Sequence, residues 1–169
     1  MEIFDLYDRE FNLLPHKIER SSKTKDGEYH LVVHIWIKNS DGKYLMQKRN
    51  KATDRIPFQW AATGGAVTTG EDSLHTAQRE VEEEMGILIP IEKFQFKTHF
   101  FIETEDGNYI TALYLVEEDV DIDSLTLQLS EVKRCDYFSL EEIKQMIKDK
   151  QCWRYEDHDS TKDYFSHII

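Results

Sequence analysis

The sequence predicts an α/β fold built on a mixed β-sheet with helices on its faces, and three observations point to it. His30 to Lys38, HLVVHIWIK, alternates in the two-residue period of a strand. Asp72 to Met85 repeats its apolar residues at helical spacing. Strand-like and helix-like segments then follow one another without regular βαβ repetition, which favours a mixed sheet over a parallel one. With 169 residues, 40% of them apolar, the chain can bury one substantial core, and a single domain over 1–169 is expected.

Residues 1–28 read as an N-terminal hairpin and loop. Glu2 to Tyr7 and Leu13 to Ile18 flank the polar turn Asp8 to Asn12, and the polar run Arg20 to Glu28 follows. In His30 to Lys38 the odd positions Leu31, Val33, Ile35 and Ile37 are apolar, so one face is expected on the core. The turn Asn39-Ser40-Asp41-Gly42 leads into a second, antiparallel strand from Lys43 to Lys48. Phe94 to Glu103 and Tyr109 to Glu117 form another hairpin around Glu105-Asp106-Gly107-Asn108. One helix is expected from about Asp72 to Met85. A second runs from about Leu140 to Lys148, opened by Ser139 with Glu142 as a capping box. A third lies near Lys162 to Ile168.

Composition excludes several classes. A net charge of −12 argues against a nucleic-acid polymer as partner, because phosphate contacts need clustered Lys and Arg. No apolar run approaches the roughly 20 residues of a membrane span. The start, MEIFDLYDREFNLL, lacks the basic beginning and unbroken apolar stretch of a signal peptide. Cys135 and Cys152 lie far apart without metal-ligand spacing, as expected of thiols in a reducing cytoplasmic compartment.

The chemistry concentrates between Gly65 and Ile87. Glu80, Glu83 and Glu84 fall within about 100° of helix face, while Leu74, Ala77, Val81 and Met85 gather on an adjacent one. Glu82 points away. Clustered carboxylates repel one another, so a cation is expected among them, and hard oxygen donors suit Mg²⁺ or Mn²⁺. Gly86 followed by Ile87 ends the helix in the left-handed manner, and Gly64, Gly65 and Gly70 give the approach to it freedom. A Glu-rich amphipathic helix alone would be a solvated face; what sets this one apart is its spacing.

Gly65 to Ile87 has the pattern Gly-x5-Glu-x7-Arg-Glu-aliphatic-x-Glu-Glu-x-Gly-aliphatic, and so resembles the Nudix box at every defined position. Similarity to the Nudix hydrolase superfamily covers roughly Tyr29 to Ile147. Upstream, Pro57 to Gly65 resembles the family's Pro-Gly-x-Trp-x-x-Pro-Gly-Gly approach, with Phe58 and Thr63 in place of a common Gly and Pro. The resemblance implies an α/β/α sandwich and hydrolysis of a diphosphate linkage in a nucleoside diphosphate derivative or related organic diphosphate. It implies Glu80, Glu83 and Glu84 as metal ligands, Arg79 as the residue that orients them, and Glu71 with Gly65 in support. Family members often draw a further carboxylate from a loop before a late strand, where Glu131 fits. Glu103, Glu105 and a box glutamate remain alternatives for that base. Lys48, Arg49, His30, His34 and Trp60 are candidate substrate contacts, and Trp36, Phe58 and Tyr109 are further aromatics able to stack a base, although aromatics in alternating strands more often belong to the core.

Two other readings compete. Isopentenyl-diphosphate isomerase is a relative whose branch the N-terminal hairpin and His30 to Trp36 resemble. The cysteine it needs before the box is missing, since Trp60 to Glu71 contains none. A nucleotide-binding sensor usually loses box glutamates, and all are present here. Many relatives dimerise, and the hairpin offers a surface for a homodimer. Which diphosphate is the substrate cannot be read from the box, because other loops recognise what is attached to it.

Overall fold

The computed structural model describes residues 1–50, 57–155 and 163–169. A separate hairpin, β1 (Ile3–Tyr7) and β2 (Leu13–Glu19), precedes a seven-stranded mixed sheet. At the sheet's centre β3 (His30–Lys38) runs parallel to β8 (Gly107–Glu117) along its whole length, from His30 beside Tyr109 to Lys38 beside Glu117. β7 (Gln95–Thr104) extends that side as the antiparallel partner of β8.

The other side of β3 is divided. β4 (Tyr44–Arg49) pairs with β3 only at Ile37–Leu45 and Lys38–Tyr44, then diverges from it. The gap is occupied by one stretch of chain. β5 (Trp60–Ala61) pairs with β4, and β6 (Thr63–Ala66) pairs with β3 from Val32 to Ile35. β9 (Val132–Phe138) lies along the outer edge of β4. This split in the sheet positions the site.

Two helices cover opposite faces. α1 (Ser73–Met85) buries Ala77, Val81 and Met85 against Leu31, Val33, Ile35 and Ile37, the odd positions of β3. α2 (Leu140–Lys148) buries Ile143 and Ile147 in a second cluster with Trp36, Tyr44 and Met46. The alternation puts one face of β3 on the core, and Trp36 on the other face is fully buried as well, as an aromatic in such a strand more often is. The C-terminal segment accounts for this burial. Trp36 donates through Nε1 to the Tyr164 hydroxyl at 3.0 Å, and Tyr44 donates to the Ile168 carbonyl at 2.7 Å. Instead of the expected third helix over 162–168 there is a 3-10 turn at Tyr164–His167, and Lys162 lies outside the described residues.

The helix ends follow local chemistry. Asp72 caps α1 by accepting from the His75 amide at 2.7 Å, and Ser139 and Glu142 complete the expected capping box on α2. Gly86 ends α1 at φ 71, where its amide donates to the Glu82 carbonyl at 2.8 Å. A Cβ there would stand 2.6 Å from the Thr126 carbonyl oxygen, whereas at Gly42, with φ 77, it would meet nothing within 4 Å. Gly42→Ala should therefore cost about 1 kcal/mol for left-handed backbone alone. Gly86→Ala should cost about 1–3 kcal/mol more, for the overpacking against Thr126. Urea unfolding of both variants measures the difference; equal costs would show that Thr126 yields freely.

Candidate active site

Glu80 and Glu84 lie one turn apart on α1, and their carboxyl groups meet at the split between β3 and β4. Glu80 lies against Gly65: a Cβ on Gly65 would overlap its carboxyl group and come 2.8 Å from its Cγ. Gly64 is equally confined, since a Cβ there would stand 2.7 Å from the Val33 carbonyl oxygen. The two glycines thus serve close approach, where flexibility was expected of them. Glu84 is 5% exposed and accepts from Gln47 Nε2 at 2.6 Å and Arg49 NH1 at 3.3 Å. Burial holds the Glu84 carboxyl above the usual carboxylate range despite the Arg49 charge. Burial, reinforced by the neighbouring Glu84, raises Glu80 to about 8, and the two carboxyl groups are hydrogen-bonded to each other.

Two arginines flank this pair. Arg79 NH1 reaches Glu80 Oε1 at 3.3 Å and Glu83 Oε2 at 3.1 Å, and its NH2 donates to Glu71 Oε2 at 3.0 Å. Glu71 also accepts from the Thr76 hydroxyl at 2.8 Å, which ties the loop before α1 to its first turn. Arg49 links Glu84 to Glu131, whose Oε2 accepts from NH2 at 2.9 Å, and its NH1 also donates to Gln47 Oε1 at 2.8 Å. Glu131 is thereby brought to the box glutamates from a loop far away in sequence. Glu83, with a side chain 51% exposed, is turned toward Arg79. Among the described residues no group of three His, Cys, Asp or Glu side chains stands in ligating arrangement. Three carboxylates on one rim are the expectation from the sequence; Glu80 and Glu83 share Arg79 NH1, while Glu80 and Glu84 are hydrogen-bonded on the other side of Glu80. At about 100° per residue Glu84 follows Glu80 by some 40°, while Glu83 falls on the opposite flank of Glu80, toward solvent.

A cleft of about 540 Å³ meets this network at Arg49 and Gly65; none of Glu71, Glu80, Glu83, Glu84 and Glu131 lines it. Gly64, Gly65 and Ala66 of β6 and the even face of β3, His30, Val32 and His34, form its walls together with Arg49. Of the other candidate contacts, Lys48 and Trp60 do not line it. Trp60 is buried, edge-on to Phe138 at 4.8 Å with Arg134 5.3 Å over its ring. Phe58, where the resemblance has Gly, keeps a glycine-like φ of 59 and is half exposed. Glu103 faces elsewhere, accepting from Arg9 NH2 at 3.0 Å and from the Tyr29 hydroxyl. His34 Nδ1 is 2.8 Å from the Tyr164 hydroxyl. His30 stacks on Phe4 at 5.0 Å, and burial, aided by the charge of Arg20, lowers it to about 4. Phe4, Arg20, Trp153 and Tyr155 line the cleft without having been anticipated. They come from the two ends of the chain, and no local pattern marks them as neighbours of β3.

The raised Glu80 makes the metal-free protein sensitive to pH. Its folded value, about 8, exceeds the unfolded one, near 4.5. The stability it contributes is therefore complete below pH 4.5 and lost as pH rises through about 8. Glu80→Gln, neutral throughout, should unfold at higher denaturant than the parent at pH 9 in the presence of a chelator, with the gap closing toward pH 4. A gap independent of pH would place the charge penalty elsewhere.

Comparison with known proteins shows the family and the fold. The family model described as the NUDIX domain matches residues 28–156. An uncharacterised Nudix hydrolase of Listeria monocytogenes is 33% identical over 147 residues, covering 86% of this chain and 85% of that protein. In fold, the chain is similar to the crystal structure of DR0079 from Deinococcus radiodurans, with a TM-score of 0.71, 16% identity, and coverage of 92% and 95%. It is also similar to the NUDIX domain of Shewanella oneidensis NrtR complexed with ADP ribose, with a TM-score of 0.57, 17% identity, and coverage of 76% and 82%. With the family model spanning most of the chain and a relative one-third identical over most of both lengths, the protein belongs to the Nudix family of hydrolases, which act on diphosphate bonds.

Proposed function

We propose that the chain is a Mg²⁺- or Mn²⁺-dependent pyrophosphohydrolase that splits the diphosphate linkage of a nucleoside diphosphate derivative or related organic diphosphate. The observation that carries this reading is the hydrogen-bonded pair of half-buried Glu80 and buried Glu84, with Glu80 set against Gly65 of the cleft wall. Two carboxyl groups kept together by a retained proton form a site that a cation can take over. Their oxygen donors suit hard divalent ions, with Glu83 joining once it turns from Arg79. A divalent ion bound there would neutralise diphosphate charge and acidify a water for attack on phosphorus.

The chain's own residues supply the rest. Glu131, steadied by Arg49, is the base assigned to take the proton from that water. Arg49, at the cleft wall, meets phosphate charge. Arg79 restrains Glu71, Glu80 and Glu83 so that their mutual repulsion does not open the helix start. His30 and His34 present their rings to the group attached to the diphosphate. A small molecule is thus the partner, and no helix among the described residues is long and apolar enough to cross a membrane. Both cysteines are free and buried, in keeping with a reducing cytoplasm. Ile3 and Leu13, exposed on the hairpin, support a homodimer as part of the same reading.

The test is turnover. Nucleoside di- and triphosphates, nucleotide sugars, dinucleotides and non-nucleoside diphosphates are screened with Mg²⁺ or Mn²⁺, reading phosphate and product masses. At least one compound should turn over, and chelation should abolish the activity. Glu83→Gln should fold normally and lose turnover, and Glu131→Gln should lose on the order of 10²-fold in kcat. No turnover with either metal, or an unchanged Glu83→Gln enzyme, would overturn the assignment.

A further inference from the structure

The first 27 residues precede the stretch that the family model matches, 28–156, yet they contribute Phe4 and Arg20 to the cleft. The hairpin is firmly seated. Leu6 is fully buried, and Phe4 is buried on the His30 ring. The Asp5 carboxylate accepts from the Thr69 hydroxyl at 2.7 Å and the Gly70 amide at 3.2 Å, which ties the hairpin to the loop that enters α1. Tyr7 and Tyr29 exchange backbone hydrogen bonds at 2.8 and 2.9 Å. A wall held this way is rigid enough to select what enters.

Among the described residues the cleft is lined by two arginines, and they face different tasks. Arg49, 13% exposed, is directed into the Glu84–Glu131 network. Arg20 is 65% exposed, and its guanidinium is paired with Glu2, itself 46% exposed. A solvent-exposed pair of this kind contributes little and yields readily to a stronger anion. A guanidinium offers a planar fork that matches phosphate oxygens. Arg20 stands at the His30 end of the cleft, where its charge acts on that ring, and the register gives the length of the wall: Gly65, against which Glu80 lies, pairs with Val33, while His30 pairs with Tyr109. The three residues from Val33 to His30 span about 10 Å of strand, room for a nucleoside between two phosphates. The Phe4, His30 and Tyr109 rings border that interval.

We propose that the N-terminal hairpin is the substrate-selecting wall of the cleft, and that Arg20 binds a second phosphate carried by the substrate away from the diphosphate that is cleaved. The orientation rests on the hydrolase reading, which puts the diphosphate at the Gly65 end. The preferred substrates are then nucleoside diphosphate derivatives bearing an additional phosphate on the ribose. The competing view is that Arg20–Glu2 is merely a cross-strand surface pair.

Binding, measured without turnover, decides between them. AMP, adenosine 2′,5′-bisphosphate and adenosine 3′,5′-bisphosphate are titrated calorimetrically into the full chain and into Arg20→Gln. One bisphosphate should bind the parent about tenfold or more tighter than AMP, and Arg20→Gln should erase that advantage while leaving AMP unchanged. Glu2→Gln, which releases Arg20, should strengthen the bisphosphate and gives a second variant should Arg20→Gln fail to fold. Bisphosphates no tighter than AMP, equal weakening of every probe in Arg20→Gln, or no binding at all overturns the proposal. Phosphate selectivity in a protein that hydrolyses no diphosphate would count against the hydrolase reading alone.

Discussion

Nothing projects from Gly65 toward α1, and the Glu80 carboxyl group occupies the space that a methyl would have taken. That contact sets how closely the helix approaches β6, and the rest of the site follows from it. With α1 drawn in, Glu84 passes into the gap where β4 parts from β3 and meets Gln47 and Arg49. A sheet in which β3 and β4 stayed paired along their length would have no such gap. The division therefore belongs to the site as much as to the fold, and the chain from Trp60 to Ala66 keeps it open by hydrogen-bonding to β4 first and to β3 afterwards.

Much of this was legible in the sequence wherever the information is local. Period-two alternation located β3 to the residue, and Ser139 with Glu142 marked the start of α2. Gly86 ended α1 where a left-handed residue was needed. What could not be read depends on distant segments meeting. Alternation placed Trp36 on the far face of a half-buried strand, and although an aromatic there more often joins a core, its covering residues Tyr155, Tyr164 and Phe165 lie more than a hundred positions away and left no local sign of what that core is. Phe4 and Arg20 are nearer in sequence, 26 and 10 positions before His30, and Trp153 is distant, but no local pattern marks any of them as a neighbour of the cleft. β5 and β6 are too short for any periodicity, and their pairing is set by the split they fill.

The spacing of the glutamates was likewise readable, but their unequal burial was not. A helical wheel places Glu80, Glu83 and Glu84 on one sector, and says nothing of where the sheet's edge cuts that sector. Here it cuts between Glu83 and the other two. Glu84 sinks to full burial, Glu80 titrates far from its ordinary range, and Glu83 stays at the surface beside Arg79.

The two arginines make that division tolerable. Glu71, Glu80, Glu83, Glu84 and Glu131 bring five carboxyl groups to a region with two guanidiniums, Arg49 and Arg79. Five minus two leaves three negative charges if all are ionised, more than a partly buried site can hold without a cation or retained protons. A proton on the Glu80–Glu84 pair removes one of them. Each arginine then acts across a different boundary: Arg79 joins the loop acid Glu71 to the helix acids, and Arg49 joins Glu84 to the late-loop acid Glu131. Lysine could not substitute in either place. Each guanidinium presents separate N–H groups to carboxylates that lie in different directions, and an ammonium, a single point of charge, cannot span them with the same fork.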